Sequence, residues 1–104
     1  MTSTLDKLYE TILSRKGADA DTSYTASLFA KGTAKMAQKV GEEAVETCIE
    51  ALQGNKEKLM AESADLLFHL MVLWADQGIK PGDVYAVLES REGTSGIAEK
   101  NSRS

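Results

Sequence analysis

The sequence predicts an all-α fold, an antiparallel bundle of about four helices that assembles as a homodimer. Three observations carry this expectation. Apolar residues recur at helical spacing in four segments, and no segment alternates like a strand. The connections between those segments are short, as in up-and-down bundles. One segment is apolar nearly all the way round, more than a small bundle covers by itself.

The first helix holds Leu5, Leu8, Tyr9, Ile12 and Leu13, with Ser3 and Asp6 spaced as a capping pair. Lys16 to Ser23, with Gly17, Asp19 and Asp21, reads as a connector. Its Asp-x-Asp-x-Ser pattern is not an EF-hand loop, because Tyr24 stands where that loop needs Gly and Ala30 where it needs Glu. A short helical piece is expected from Tyr24 to Ala30, before Gly32. Thr33 to Gln53 reads as one long helix ended by Gly54 and Asn55, and Lys56 to Gln77 as a second ended by Gly78. Pro81 suits the first turn of a last helix that runs to about Glu92.

In the second long helix, Leu59, Met60, Leu66, Leu67, Phe68, Leu70, Met71, Val72, Leu73 and Trp74 leave no broad wet face. Such a helix needs cover on every side, which predicts the homodimer. The chain of 104 residues fits one domain, 1–104. A domain this size buries only about two-thirds of its unfolded surface, which again favours assembly.

Composition narrows the function. Apolar residues at 42% and charged residues at 27% exclude a disordered or membranous chain. A net charge of −4 argues against nucleic acid as a partner. Cys48 is the sole cysteine, so neither a disulfide framework nor a Cys-rich metal site is expected. Met1 to Lys16 lacks a signal-peptide h-region, and Leu66 to Ala75 is too short to span a bilayer. The expected location is the cytoplasm.

The carboxylates point to chemistry. On the helix from Thr33 to Gln53, Ala37, Gly41, Ala44, Val45, Cys48 and Leu52 share one side. Lys35, Lys39, Glu42, Glu43, Glu46 and Glu50 form the opposite stripe. Alone, that stripe is what any solvated amphipathic helix shows. The next helix changes the reading, because Glu62 and Asp65 share a face of an otherwise apolar segment. Carboxylates withdrawn from water are costly unless paired or metal-bound. If the two helices are antiparallel neighbours, Glu43, Glu46, Glu62 and Asp65 converge, and a hard divalent cation relieves their repulsion.

No Glu-x-x-His pair suggests a di-iron site, and all-oxygen ligands favour Mg²⁺ or Mn²⁺. Mg²⁺ usually completes its shell with water and substrate phosphates, so the pattern points to phosphate chemistry without a P-loop. His69, four residues after Asp65, is placed to hydrogen-bond that carboxylate, or else to sit in the core. Close helix packing is the expected reason for Gly41, and Cys48, Trp74 and the methionines are expected in the core.

With Glu42-Glu43-x-x-Glu46 and Glu62-x-x-Asp65, the chain resembles the all-helical, MazG-like nucleotide pyrophosphohydrolases. It is most similar to the phosphoribosyl-ATP pyrophosphatases of histidine biosynthesis, over essentially its whole length. Carrying that likeness are Ser23-Tyr24-Thr25, Lys31-Gly32, the run from Gln38 to Ala44 and the run from Glu62 to Leu70. The tail from Arg91 to Gly96 and from Glu99 to Arg103 shares it too. The chain is too short for the cyclohydrolase domain fused to some relatives, so a stand-alone version is expected.

The resemblance implies Mg²⁺-dependent hydrolysis of phosphoribosyl-ATP to phosphoribosyl-AMP and pyrophosphate, with Mn²⁺ as a substitute metal. It implies Glu43, Glu46, Glu62 and Asp65 as metal ligands, with Glu42 as general base or ligand to a second metal. Lys35 and Lys39 are expected to neutralise phosphate charge, unless they serve as salt bridges to their Glu neighbours. Arg91, Ser95, Lys100 and Arg103 of the tail are expected to fold over bound phosphates, with Ser95-Gly96 allowing close backbone approach. Two other readings stay open: a house-cleaning nucleoside triphosphate pyrophosphohydrolase, and a helical dimerisation module without activity.

Overall fold

A computed structural model describes residues 3–92. Among them are five helices and no strand. They are α1 (Thr4–Arg15), α2 (Tyr24–Lys31), α3 (Thr33–Gln53), α4 (Lys56–Asp76) and α5 (Pro81–Ser90).

The all-helical class is as expected, but the helix count is five rather than about four. The short piece after Ser23 is a full element because both of its ends are capped. Ser23 accepts the backbone N–H of Ala26 at 3.1 Å, and Gly32 ends the helix at φ 95°. That positive φ suits glycine, which lacks the Cβ that makes such a backbone costly. Ala26 and Leu28 then turn inward onto the core.

The remaining caps follow the sequence closely. Ser3 and Asp6 form a reciprocal capping box. Gly54 closes α3 in the left-handed conformation at φ 72°, and Asn55 caps α4 by accepting Lys58 N–H at 3.1 Å. Pro81 occupies the first turn of α5, where a missing N–H costs nothing, and Asp83 accepts the Lys80 N–H at 2.9 Å. Helix ends depart from expectation by one or two residues, the usual fraying range.

The core gathers Tyr9 and Ile12 of α1, Leu28 of α2, Met36 of α3, and Met71, Val72 and Ala75 of α4. Phe29, Phe68, Leu73 and Trp74 pack around it. Tyr9 donates its hydroxyl to the Ile79 carbonyl at 2.7 Å, tying α1 to the loop that precedes α5. Thus the core sits toward the start of α3 and the end of α4. The two-residue turn at Gly54-Asn55 sends α4 back antiparallel along α3.

Along the outward face of α3 the packing reverses the sequence reading. Ala37, Gly41, Val45, Cys48 and Leu52 are exposed, so Cys48 is not core. Among the described residues a Cβ at Gly41 meets nothing within 4 Å, so close packing against them does not explain that glycine. Met60 and Leu67 of α4 are exposed as well, although Met36 and Met71 are buried. α3 has only one long neighbour here, and the face turned toward α4 carries carboxylates. Its apolar face is left uncovered among the described residues.

Candidate metal centre

The α3 face turned toward α4 places Glu43 in the interior at 8% exposure. From α4, Glu62 and Asp65 approach it, as residues three apart on one helix face do. One carboxylate oxygen from each of Glu43, Glu62 and Asp65 lies within 4.8 Å of the others. Glu62 also faces Glu46 of α3. All four carboxylates read from the sequence therefore meet, three in a tight group and Glu46 beside it.

Crowding shows in the protonation. The Glu62 pKa is pushed up to about 7, first by the Glu43 carboxylate, placed to share a proton with it, and then by the Glu46 carboxylate. Burial and the repulsion of both neighbours push in the same direction. Among the described residues, three acidic oxygens, Glu43 Oε2, Glu62 Oε2 and Glu50 Oε1, are buried without a hydrogen-bond partner. Buried acceptors normally have partners, so the unpartnered oxygens of Glu43 and Glu62, both in the tight group, suit a cation. The tight group offers oxygen alone, and this donor set fits Mg²⁺ or Mn²⁺.

Glu42 does not join the group. Gln38 donates to its Oε1 at 2.7 Å and Lys39 to its Oε2 at 3.1 Å. These two bonds, Gln38 first, hold its pKa below the usual carboxylate range. Lys39 bridges outward and inward, reaching Glu43 Oε1 at 3.9 Å. Its hydrogen bond to Glu42 is the largest cause of its own raised pKa. Lys39 thus stands at the rim of the cluster, and Lys35 lies near enough to Glu42 to act on its charge.

His69 is buried, which agrees with the core alternative of the sequence reading rather than with a bond to Asp65. Its Nε2 lies 3.9 Å from Glu43 Oε1, so its nearest carboxylate partner comes from α3 rather than from Asp65 on its own helix. Side chains four apart on one helix are neighbours, yet the ring turns across to α3. Tyr24 and Glu50 had no role in the sequence reading of the site. Tyr24, 55% exposed, stacks on Phe68 at 6.2 Å and meets His69 edge-on at 5.9 Å. Glu50 falls four residues after Glu46 and seven after Glu43, so the α3 period already placed it on the same face.

Arg91 follows α5, the helix that packs against α1. Ser95, Lys100 and Arg103 lie outside the described residues. A cavity of about 760 Å³ between α1 and the start of α5 contains none of these carboxylates. Among the described residues, no helix is long and apolar enough to cross a membrane.

Residues 5–92 match the profile of the phosphoribosyl-ATP pyrophosphohydrolase family. The chain belongs to that family. It is 68% identical over 99 residues to the phosphoribosyl-ATP pyrophosphatase of Azospirillum brasilense, covering 95% of this chain and 89% of that one. It is 61% identical to the enzyme of the same name from Paramagnetospirillum magneticum, over 95% of this chain and 91% of that one. With the Rhizorhabdus wittichii protein of that name, identity is 59% over 99% of this chain and 97% of the relative. The phosphoribosyl-ATP pyrophosphohydrolase match takes in both helices of the carboxylate cluster, so family and geometry concern the same residues.

Proposed function

We propose that this chain hydrolyses phosphoribosyl-ATP to phosphoribosyl-AMP and pyrophosphate, the second step of histidine biosynthesis, as a Mg²⁺-dependent homodimer. One observation carries the reading. In a phosphoribosyl-ATP pyrophosphohydrolase, two antiparallel helices bring Glu43, Glu62 and Asp65 within 4.8 Å of one another, with buried oxygens left unpartnered. Glu43, Glu46, Glu62 and Asp65 are the residues that hold Mg²⁺, and Mn²⁺ substitutes for it. Bound there, Mg²⁺ offsets triphosphate charge and polarises the phosphoryl group.

The chain's own residues supply the rest. Lys39 and Lys35, on the rim, face the phosphates and offset charge that the acidic site repels. Glu42 stays ionised through its bonds to Gln38 and Lys39 and is the candidate acceptor for the proton of the attacking water. Arg91, Ser95, Lys100 and Arg103 belong to a tail that completes phosphate binding.

Assembly follows from the uncovered apolar faces. Val45, Ile49 and Leu52 on α3, with Met60 and Leu67 on α4, are large, apolar and exposed. A second copy laid on these helices covers them and accounts for the small, open Gly41. We read residues 1–104 as one such domain, working in the cytoplasm on a polar nucleotide.

The test is pyrophosphate release from phosphoribosyl-ATP by the purified protein, alongside ordinary nucleoside triphosphates. Mg²⁺-dependent release from phosphoribosyl-ATP, abolished by chelator, is expected. Preference for an ordinary triphosphate, or full activity in excess chelator, overturns the reading.

A further inference from the structure

His69 is 5% exposed, and its surroundings are mostly aromatic. Phe68 meets it edge-on at 5.1 Å and Tyr24 at 5.9 Å, while Tyr24 and Phe68 stack on each other. Such a cage fixes the ring plane. Nε2 is turned toward Glu43 Oε1, 3.9 Å away, and Nδ1 is buried without a partner among the described residues.

The tautomer follows from these contacts. A ring buried between two aromatic side chains favours the uncharged imidazole. A neutral imidazole has one N–H and one lone pair. With the proton on Nδ1, a buried donor is orphaned and a lone pair faces a carboxylate. With the proton on Nε2, the donor faces an acceptor, and only a lone pair goes unmatched. Orphaned buried donors are the rarer and costlier case.

We propose that His69 is a positioning residue: its Nε2–H holds Glu43 Oε1, keeping the other Glu43 oxygen for a cation shared with Glu62 and Asp65. The inference rests on the metal reading above. At 3.9 Å the contact is longer than a hydrogen bond, and the proposed bond requires the two groups to draw closer. Glu43 Oε1 is already flanked by Lys39 and His69, whereas Oε2 has no partner among the described residues. The carboxylate is thus divided, one oxygen toward the protein and one toward the cation. Hydrogen-bond partners of metal-ligating carboxylates matter, and their loss typically weakens metal affinity about 10–100-fold.

The experiment titrates Mn²⁺ into the full-length protein and reads free Mn²⁺ by electron paramagnetic resonance. Wild type, Glu62→Gln, His69→Phe, His69→Gln and His69→Asn are compared, with circular dichroism as the folding check. Phe keeps the ring bulk and removes the donor; the Gln amide nitrogen reaches as far as imidazole Nε2, and the Asn amide falls short. Expected is Mn²⁺ binding weakened about 10–100-fold in His69→Phe and His69→Asn, and largely restored in His69→Gln. Should His69→Phe not fold, the contrast between Gln and Asn decides. Equal affinity in all three His69 variants and wild type overturns the positioning role while leaving the metal reading intact. Wild-type protein that binds no Mn²⁺ overturns both.

Discussion

Replacing Leu52 with glutamine separates a solvent-facing helix from half of a dimer interface. Leu52 is 89% exposed and lies at the end of α3. It continues the face of Val45, Cys48 and Ile49, at positions i, i+3, i+4 and i+7 of the helix. Glutamine keeps length and helix propensity, so the protomer's own stability should change by no more than about 0.5 kcal/mol. Covering a leucine side chain contributes about 1.5–3 kcal/mol. Two-fold symmetry counts the change twice, roughly 3–6 kcal/mol, or a ~10²- to ~10⁴-fold increase in Kd. Sedimentation velocity over a dilution series measures that Kd, and circular dichroism at each concentration tracks helicity. A variant whose Kd equals wild type removes Leu52 from the interface. A wild-type protein that stays monomeric at micromolar concentration refutes the dimer altogether.

Three further outcomes are expected. Glu62→Gln and Asp65→Asn relieve crowding in the metal-free protein, so thermal melts should show equal or higher Tm while pyrophosphate release is lost; unfolding of either variant makes these residues structural anchors instead. The raised Glu62 pKa of about 7 means that the folded state binds protons more tightly than the unfolded one, whose value is near 4.5. This contribution is full below pH ~4.5 and is lost as pH rises toward 7, so the metal-free melting temperature carries a falling component across that window, absent in Glu62→Gln. An identical pH slope in the variant would show that Glu62 is not the responsible group. Truncation after Glu92 should leave helicity unchanged and raise KM or slow turnover, and wild-type constants in the truncated protein would make the tail a bystander.

Helix positions were legible because local chemistry specifies them. Ser3 with Asp6, Ser23, Gly32, Gly54, Asn55 and Pro81 each satisfy or excuse backbone groups at an end, and each is visible without knowing what the helix touches. The carboxylate group was legible for a related reason: helical spacing aligns Glu43 with Glu46 and Glu62 with Asp65, and a two-residue turn allows the two helices only an antiparallel return. What sequence could not say was which face of α3 turned inward. Amphipathic spacing separates two faces but does not tell a core within the chain from a surface awaiting another copy. Cys48 and Gly41 were therefore expected inside and are exposed.

Side-chain partners were decided only in three dimensions. His69 and Asp65 are neighbours on α4 by period, yet the ring lies against Glu43, because Tyr24 and Phe68 close around it and α3 supplies the facing carboxylate. Glu42 sits one residue before Glu43 but about 100° around the helix, so Gln38 and Lys39 take it while Glu43 is carried into the interior. Sequence by itself determined the helices, their antiparallel pairing and the acidic residue types available for a cation, since those follow from spacing and caps. Tertiary structure alone decided which oxygens were left unpartnered, because that depends on groups far apart in the chain competing for the same space.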